Sequence, residues 1–217
     1  MISVVIPTLN EAKCLASTIE ALKQENASSE IIVVDGGSID ETVEIARQFS
    51  VRLYQATRHR ARQMNLGASH ASGDILFFLH ADTRLPENGL TLISKALANS
   101  SVVGGAFQRI FDSRSLILHG TCMLARVRNS LIGWHLGDQG IFVRKNVFEA
   151  LGGFPEIPRF EDLELSRKMG KVGKLVTLSP PVISSARRFE KEGPALRSIK
   201  DFFLKCQYLL TGVSNKP

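Results

Sequence analysis

Several features that define common protein classes are missing from this chain of 217 residues. No apolar run reaches the roughly 18 residues of a membrane-spanning helix, and the apolar segment at 2–6 is too short for a signal peptide. The cysteines are only Cys14, Cys122 and Cys206, without a C-x-x-C pair, which argues against a disulfide framework and against a zinc or redox motif. We therefore expect a cytoplasmic protein whose cysteines are buried as small apolar residues.

Two nucleotide-binding signatures are also missing. No G-x-G-x-x-G follows the first two apolar segments and no G-x-x-x-x-G-K-[ST] occurs anywhere, which argues against a dinucleotide-dependent dehydrogenase and a P-loop enzyme. The remaining composition, with 44% hydrophobic and 22% charged residues, is that of a globular protein. A formal net charge of +6 suits an anionic partner, such as a nucleotide, a nucleic acid or an anionic membrane surface, without choosing among them.

Strand and helix patterns alternate through the first half of the chain. Short apolar runs predict strands over 2–6, 31–34, 51–54 and 75–79. Apolar residues three or four positions apart predict helices over 11–24, 40–49 and 58–72, the first of them with Asn10 as its N-cap. Unbroken apolar strands that alternate with helices indicate an α/β fold, in which a Rossmann-like, mostly parallel sheet is flanked by helices.

The second half of the chain is less regular. Helices are predicted over 87–98, 116–134, 160–170 and 195–210, and strands over 102–110 and 140–143. The helices at 116–134 and 195–210 are amphipathic and basic, so they could face a membrane surface, although such stripes more often face a core or a dimer partner. Because no linker or repeat interrupts the chain, we expect a single domain over 1–217.

Polar residues follow all four predicted strands of the first half, where ligands bind in parallel sheets. Asp35 ends the second strand before two glycines, and its carboxylate could accept hydrogen bonds from a nucleobase or ribose. Asp40, a few residues later, is better explained as the cap of the next helix. Arg62 lies in a basic cluster at a helix start, which suits either a phosphate ligand or a solvated surface.

His80 and Asp82 follow the most apolar strand of the chain. Asp82 could hold a divalent cation that bridges a diphosphate. His80 is a weaker metal ligand in such a site, because hard cations with phosphate prefer oxygen, so a histidine that bonds to a neighbour is the favoured interpretation.

Two acidic positions in the second half have competing interpretations. Asp162 lies among three carboxylates at a helix start, where it could be a general base for an acceptor hydroxyl or could simply stabilise the helix N-terminus. Asp138, in a Gly-Asp-Gln-Gly segment, could be part of a turn or could contact an acceptor.

Together these segments resemble glycosyltransferase family 2, which has the GT-A fold. The resemblance covers about 3–188, and its pieces occur in family order: VVIPTLNE at 4–11, IVVDGGSID at 32–40, RQMNLGA at 62–68, FLHADT at 78–83, and GGF at 152–154 followed by ED at 161–162. The strings LHADT and SARRF are similar to those of the small stand-alone subgroup associated with radical-SAM and selenium-domain proteins.

The resemblance implies a role for each motif. It assigns 1–110 to binding a nucleoside-diphosphate sugar, with a UDP-sugar as the expected donor, and 111–217 to the acceptor. Asp82 would hold Mn²⁺ or Mg²⁺ on the donor diphosphate. Asp162 would deprotonate the acceptor hydroxyl for in-line attack that inverts the anomeric carbon. The base and ribose pocket would be lined by Pro7, Asn10, Glu11 and Asp35.

The chain departs from the family at two positions. His80 stands in the donor site where the first aspartate of the D-x-D motif is usual, which weakens the expected hold on the metal. No histidine follows His135, although many members supply one late in the chain. Arg187 and Arg188 lie in about that region, and Arg188 is our candidate for direct contact with the diphosphate.

Two other classes of function compete with sugar transfer. A nucleotidyltransferase would also need Asp82 and a metal ion, but it should have a glycine-rich basic segment directly after the first strand. A non-catalytic module that binds a nucleotide or a membrane surface would use the amphipathic helices. We expect no nucleic-acid partner, and we leave peripheral membrane contact and a homodimer open.

Overall fold

The computed structural model describes residues 1–212, with the backbone alone at Leu131. The strands are β1 (Ile2–Thr8), β2 (Ser29–Asp35), β3 (Arg52–Gln55), β4 (Ile75–Phe78), β5 (Thr83–Arg84), β6 (Val102–Phe111), β7 (Ile141–Arg144) and β8 (Lys174–Ser184). The helices are α1 (Ala12–Lys23), α2 (Thr42–Gln48), α3 (Arg60–Ser69), α4 (Gly89–Leu97), α5 (Leu116–Ile132), α6 (Lys145–Ala150), α7 (Glu161–Val172), α8 (Arg187–Glu192) and α9 (Pro194–Thr211). Except for its last five residues, the predicted single domain lies within the described part of the chain.

One eight-stranded sheet runs through the molecule in the order β3-β2-β1-β4-β7-β6-β8-β5. Strands β3, β2, β1 and β4 are parallel neighbours, and β6 is parallel to β8, whereas β7 and β5 run antiparallel to their neighbours. The sheet is therefore mostly parallel, and the α/β prediction is confirmed.

Alternate residues of β1 point to opposite faces of the sheet, and both faces are buried. Val4 and Ile6 belong to a core formed with α1 and α4. Val5 belongs to the opposite core, formed with α3, α6 and α7. Burial on both faces explains why the first strands read as unbroken apolar runs. Of the three cysteines only Cys122 is buried, so the expectation is wrong for Cys14 and Cys206, which are partly exposed.

Strand β8 is the main element that the sequence analysis missed. It pairs in parallel with β6, but the register shifts between Phe107↔Leu178 and Arg109↔Val182. The intervening segment contains Pro180 and Pro181, which cannot donate to a strand ladder and are tolerated at such a bulge. The same strand pairs with the two-residue strand β5, so it holds the segment after His80 in place.

The carboxyl ends of β1, β2 and β4 lie at one edge of the sheet, and their following loops meet there. The prediction that Asn10 is the N-cap of α1 is wrong, because Glu11 holds that position and Asn10 has a left-handed backbone with φ 56°. Asp40 accepts hydrogen bonds from the N–H groups of Ala12 and Thr42, the first residues of α1 and α2, which is close to the capping role expected of it. None of the helices within 1–212 is long and apolar enough to cross a bilayer.

Candidate active site

The loop after β2 is organised around Asp35, whose side chain is buried at 1% exposure. Its Oδ2 accepts hydrogen bonds from the N–H groups of Gly37 and Ser38, each at 2.9 Å. Its Oδ1 accepts from the hydroxyl groups of Thr8 and Ser38. Gly37 adopts a left-handed backbone (φ 91°) that allows this tight turn. Asp35 therefore shapes the loop in the free protein.

Asn10 joins the loop after β1 to the loop after β2. Its N–H donates to the Ser38 hydroxyl at 2.9 Å, and its Oδ1 accepts from the Ile39 N–H at 2.9 Å. Pro7 lies two positions before this loop and is partly exposed. The two loops thus form one continuous wall beyond the strand ends.

The positively charged side chain of Arg187 lies between the carboxylates of Glu11 and Asp82, next to that wall. The Arg187 guanidinium donates to both Glu11 oxygens at 2.5 Å and lies 3.2 Å from Asp82 Oδ2. Burial raises the pKa of Glu11 even though Arg187 opposes that shift, and Asp82 raises it further. Arg187 connects α8 to the loops that follow β1 and β4.

Arg188 and Arg62, the two basic side chains singled out from the sequence, lie further from these acids. Burial and the guanidinium groups of Arg197 and Arg60 lower the pKa of Arg188, and the charge of Asp82 opposes that shift. Arg62 is exposed and pairs with Glu156 at 2.7 Å. Their contact with a phosphate stays a prediction.

Arg60 is the basic residue of that cluster which reaches the acidic motif. It donates to Glu161, which is 2% exposed, and its guanidinium lies 3.9 Å from Asp162 Oδ2. Burial opposes the charged form of Arg60, but Glu161 and Asp162 outweigh it and raise its pKa. The position of Arg60 on the helix could have indicated this contact. Arg60 lies three residues before the buried Gln63 and so shares its inward face, whereas Arg62 does not.

Asp162 holds the segment that contains Asp138. Its Oδ2 accepts a hydrogen bond from the Gly137 N–H at 2.6 Å, and its Oδ1 accepts from the Leu163 N–H at 2.7 Å. A Cβ on Gly137 would stand 3.1 Å from Asp162 Oδ2 and 3.2 Å from His80 Nε2. Asp162 and His80 therefore flank the same point, where a side chain larger than that of glycine would be tightly packed.

His80 and Asp82 connect the two groups of acids. Only one residue separates them, and while Asp82 faces Arg187, His80 faces the Asp162 side. Burial and the Arg60 guanidinium lower the pKa of His80, so its ring is neutral near pH 7. Asp35, Asp82 and Asp162 thus lie along one connected set of loops at one edge of the sheet.

Asp138 lies in a one-turn 3₁₀ helix (Gly137–Gln139) and forms a partly buried ion pair with Arg109. Burial raises its pKa, but the Arg109 guanidinium outweighs that effect and lowers it. Its Oδ1 is buried without a hydrogen-bond partner in the described part of the chain. The predicted turn is present, and it leaves one buried carboxylate oxygen without a hydrogen bond from residues 1–212.

Helix α9 packs against the residue that precedes the acidic motif. The rings of Tyr208 and Phe160 are in contact, with centroids 4.9 Å apart. Phe160 precedes the acidic motif with a left-handed backbone (φ 67°), which is costly for an aromatic residue and which this contact helps to hold. Burial and Glu164 raise the pKa of Tyr208 to about 12.

The donor set at Asp82 fits a hard divalent cation that is shared with a phosphate ligand. Within residues 1–212 no group of three or more His, Cys, Asp and Glu side chains is arranged as a metal cage. Mg²⁺ sites of nucleotide enzymes need no such cage, because one or two carboxylates, phosphate oxygens and water complete the shell. Glu11 and Asp82 provide carboxylate oxygens of this kind, with the side chain of Asp82 17% exposed.

Comparison with known proteins decides the family. The sequence model for glycosyl transferase family 2 matches residues 3–151. The chain belongs to glycosyl transferase family 2. A 4,4'-diaponeurosporenoate glycosyltransferase of Staphylococcus haemolyticus is 36% identical over 112 residues, which are 48% of this chain and 30% of the relative. A PGL/p-HBAD biosynthesis glycosyltransferase of Mycobacterium bovis is 30% identical over 167 residues, which are 71% of this chain and 63% of the relative. This family 2 chain thus spans less than two thirds of either relative.

Solved glycosyltransferases share the fold. A mannosyltransferase of Pyrobaculum calidifontis in complex with GDP-Man and Mn²⁺ superposes with a TM-score of 0.65 at 22% identity, covering 85% of this chain and 56% of that one. TarS 1-349 of S. aureus in complex with UDP-GlcNAc gives 0.66 at 17% identity, covering 85% of this chain and 58% of that one. The expected GT-A fold is therefore confirmed.

Proposed function

We propose that this family 2 chain is an inverting glycosyltransferase, which moves a sugar from a nucleoside diphosphate to an acceptor hydroxyl with the help of a divalent cation. One observation carries the proposal: Glu11 and Asp82 lie at one side of the 79–82 loop, and Asp162 lies at the other side, next to His80. A phosphate-binding group and a base are therefore separated by the width of one loop, which suits a donor on one side and an acceptor on the other.

The donor would lie against the wall formed by the loops after β1 and β2. Pro7, Asn10 and Glu11 would line the base and ribose pocket, and the loop shaped by Asp35 would face the nucleobase. A mannosyltransferase bound to GDP-Man and TarS bound to UDP-GlcNAc share the fold, which supports a nucleotide sugar as the donor. We take a UDP-sugar as the first candidate.

Asp82 would hold Mn²⁺ or Mg²⁺ together with the donor diphosphate, and Glu11 lies close enough to assist. When bound, the cation would supply positive charge where negative charge develops on the leaving diphosphate. Arg187 brings a guanidinium to the same carboxylates in the free protein. We propose that Arg187, with Arg188 and Arg62, binds the diphosphate when the donor arrives.

Asp162 would accept the proton of the acceptor hydroxyl. Its two oxygens are oriented by the Gly137 and Leu163 N–H groups, so the carboxylate is fixed before the acceptor binds. The hydroxyl oxygen would then attack the anomeric carbon from the face opposite the leaving diphosphate, which inverts the configuration. Asp138, whose side chain is 31% exposed, would contact the acceptor.

The narrower assignment to the radical-SAM and selenium-domain subgroup stays part of the proposal. It rests on the sequence strings that contain Asp82 and Arg187–Arg188 rather than on any relative described above. The relatives act on different acceptors by their names, so the acceptor here is proposed only as a hydroxyl compound.

Thermal unfolding with UDP-, GDP- and dTDP-sugars, with and without Mn²⁺, tests the donor site, because a ligand of the native state raises the unfolding temperature. We expect one sugar nucleotide to give a metal-dependent rise that Asp82→Ala abolishes and Asp162→Asn preserves. Asp112→Ala, which removes an exposed carboxylate paired with Arg84, is the matched control. A rise that Asp82→Ala leaves unchanged would remove Asp82 from the metal site.

The chemistry is tested by the products. Transfer should release a nucleoside diphosphate, leave a product of inverted anomeric configuration by NMR, and fall by at least about a hundredfold in Asp162→Asn, the range of general-base catalysis. Release of pyrophosphate would instead identify a nucleotidyltransferase. Retained configuration would refute the inverting mechanism.

A further inference from the structure

Helix α9 is amphipathic, but its apolar side faces solvent instead of the protein core. Its charged side faces the protein. There Arg197 pairs with Asp201, and burial and the Arg128 charge lower the pKa of Lys205 although the Asp138 charge opposes that shift. Its apolar side faces away from the protein. The exposed fractions of its five most exposed large apolar residues are 54% at Leu196, 54% at Ile199, 61% at Phe202, 66% at Phe203 and 86% at Leu210.

Helix α5, which contacts α9, also turns an apolar side outward. Leu118, Cys122 and Ala125 are buried on its inner side. On the outer side the exposed fractions are 85% at Leu116, 68% at Met123, 71% at Leu124 and 56% at Val127. A core-facing role, which the sequence favoured for both helices along with a dimer-facing one, is therefore wrong for these stripes. We call these four residues and the five of α9 the apolar face.

Almost all of the net charge lies on the segments that carry this face. Between 112 and 135, three arginines accompany one aspartate, and between 187 and 212, six Lys and Arg accompany three acidic residues. These segments hold a net charge of +5, out of +6 for the whole chain. Arg126 and Lys191 are both exposed, so they are available to an outside partner.

We infer that the apolar face docks on the surface of an anionic lipid bilayer. An outward apolar stripe flanked by basic residues is the pattern of helices that lie in a membrane interface, where the stripe enters the acyl boundary and the basic groups meet lipid phosphates. A second copy of this chain fits less well, because a two-fold interface brings the same surface of both subunits together and would bring exposed basic side chains such as Arg126 and Lys191 of the two subunits towards each other.

Docking in this way would hold the cleft next to the bilayer. The inner side of α9 contributes Tyr208 against Phe160 and Lys205 near Asp138, so one helix joins the bilayer surface to the acidic side of the cleft. The inference concerns binding alone and does not depend on the transfer reaction. Its test can therefore fail or succeed separately from the proposed function.

Sedimentation with vesicles provides the test. The full chain is mixed with vesicles of phosphatidylcholine containing roughly one third phosphatidylglycerol, and with pure phosphatidylcholine vesicles. We expect binding to the anionic vesicles that added salt weakens, and a drop in partitioning of at least about tenfold in the double variant Leu124→Gln/Phe203→Gln. Val172→Gln, which changes an apolar residue 55% exposed at the end of α7, should bind like the wild type.

Charge variants separate the electrostatic part. Arg126→Gln and Lys191→Gln should each lower binding to anionic vesicles by about fivefold, the effect of one basic residue near a charged surface. Thermal unfolding of every variant should match the wild type, since all the changed side chains are exposed. The inference is overturned if the wild type fails to sediment with anionic vesicles, or if the double variant binds equally well. A salt-stable dimer that the double variant dissociates, without vesicle binding, would instead assign the face to a second copy.

Discussion

Replacement of Arg60 by glutamine should destabilise the protein far more than the same replacement two positions later. Arg60 pairs with Glu161, whose side chain is only 3% exposed. Arg62, on the same helix, pairs with Glu156, and the side chains of that pair are 51% and 52% exposed. Arginine and glutamine have similar helix propensities, so each substitution mainly removes one positive charge.

The magnitude follows from what each substitution leaves behind. Removing one partner of a buried ion pair costs about 3–5 kcal/mol, because the other charge stays buried without compensation. The side chain of Arg60 is 39% exposed, so water can reach part of the vacated space, and we expect about 2–3 kcal/mol for Arg60→Gln. For a protein of this size that lowers the unfolding temperature by roughly 5–10 °C. Arg62→Gln should cost less than about 1 kcal/mol, as exposed pairs do.

Urea unfolding followed by circular dichroism measures both free energies at the same pH. The double variant Arg60→Gln/Glu161→Gln completes the argument, because replacing both charges removes the stranded carboxylate and should restore part of the lost stability. If Arg60→Gln and Arg62→Gln cost the same, or if the double variant is as unstable as the two single losses added together, the pair does not hold the acidic motif in the way described.

Two further predictions concern stability elsewhere in the molecule. Burial and Arg128 lower the pKa of His135 from 6.5 to about 4, so between these pH values the unfolded chain binds a proton that the native imidazole does not bind. The free energy of unfolding should therefore be highest above pH 6.5 and should fall by about 3 kcal/mol towards pH 4. In unfolding measured as a function of pH, His135→Gln should reduce this dependence, whereas substitution of the exposed His119 by glutamine should not. Substitution of glycine by alanine should change stability in opposite directions on two helices. Gly120→Ala, whose new Cβ has no atom within 4 Å, should stabilise the protein by up to about 1 kcal/mol, whereas Gly67→Ala would overlap a buried valine and should destabilise it by about 1–3 kcal/mol. Thermal unfolding measures both effects, and equal effects would contradict the packing described.

The parallel half of the sheet could be predicted because its local signals agree with the tertiary structure. Strands β1, β2 and β4 are buried on both faces, so their sequences are apolar throughout, and the helices between them carry clear stripes. Strand β8 could not be predicted in this way. Its burial is partial, its centre contains two prolines, and its pairing with β6 depends on a bulge that only the folded sheet defines.

The candidate site could be predicted to the level of segments but less well to that of side chains. Asp82 and Asp162 lie on the two sides of the 79–82 loop, and the arginines that reach them are Arg187 and Arg60, contacts that the sequence analysis did not predict. In both cases another arginine lies one or two positions away in the sequence, and only the rotation of the helix decides which guanidinium reaches a carboxylate. The role of Gly137 had no signal at all, because it depends on two side chains from distant segments.

The two arginines also explain how this cleft can gather four carboxylates without losing its shape. Glu11 and Asp82 are bridged by Arg187, and Glu161 and Asp162 are approached together by Arg60. Like charges this close would otherwise repel each other, so each acidic pair is compensated by a cation from a different helix. The pairs differ in exposure, however, since Glu161 is sealed inside whereas the Arg187 bridge remains open to solvent. The Arg60–Glu161 pair can therefore act as fixed support for Asp162, whereas the exposed Arg187 bridge is the one that would exchange its partners for a diphosphate in the proposed function.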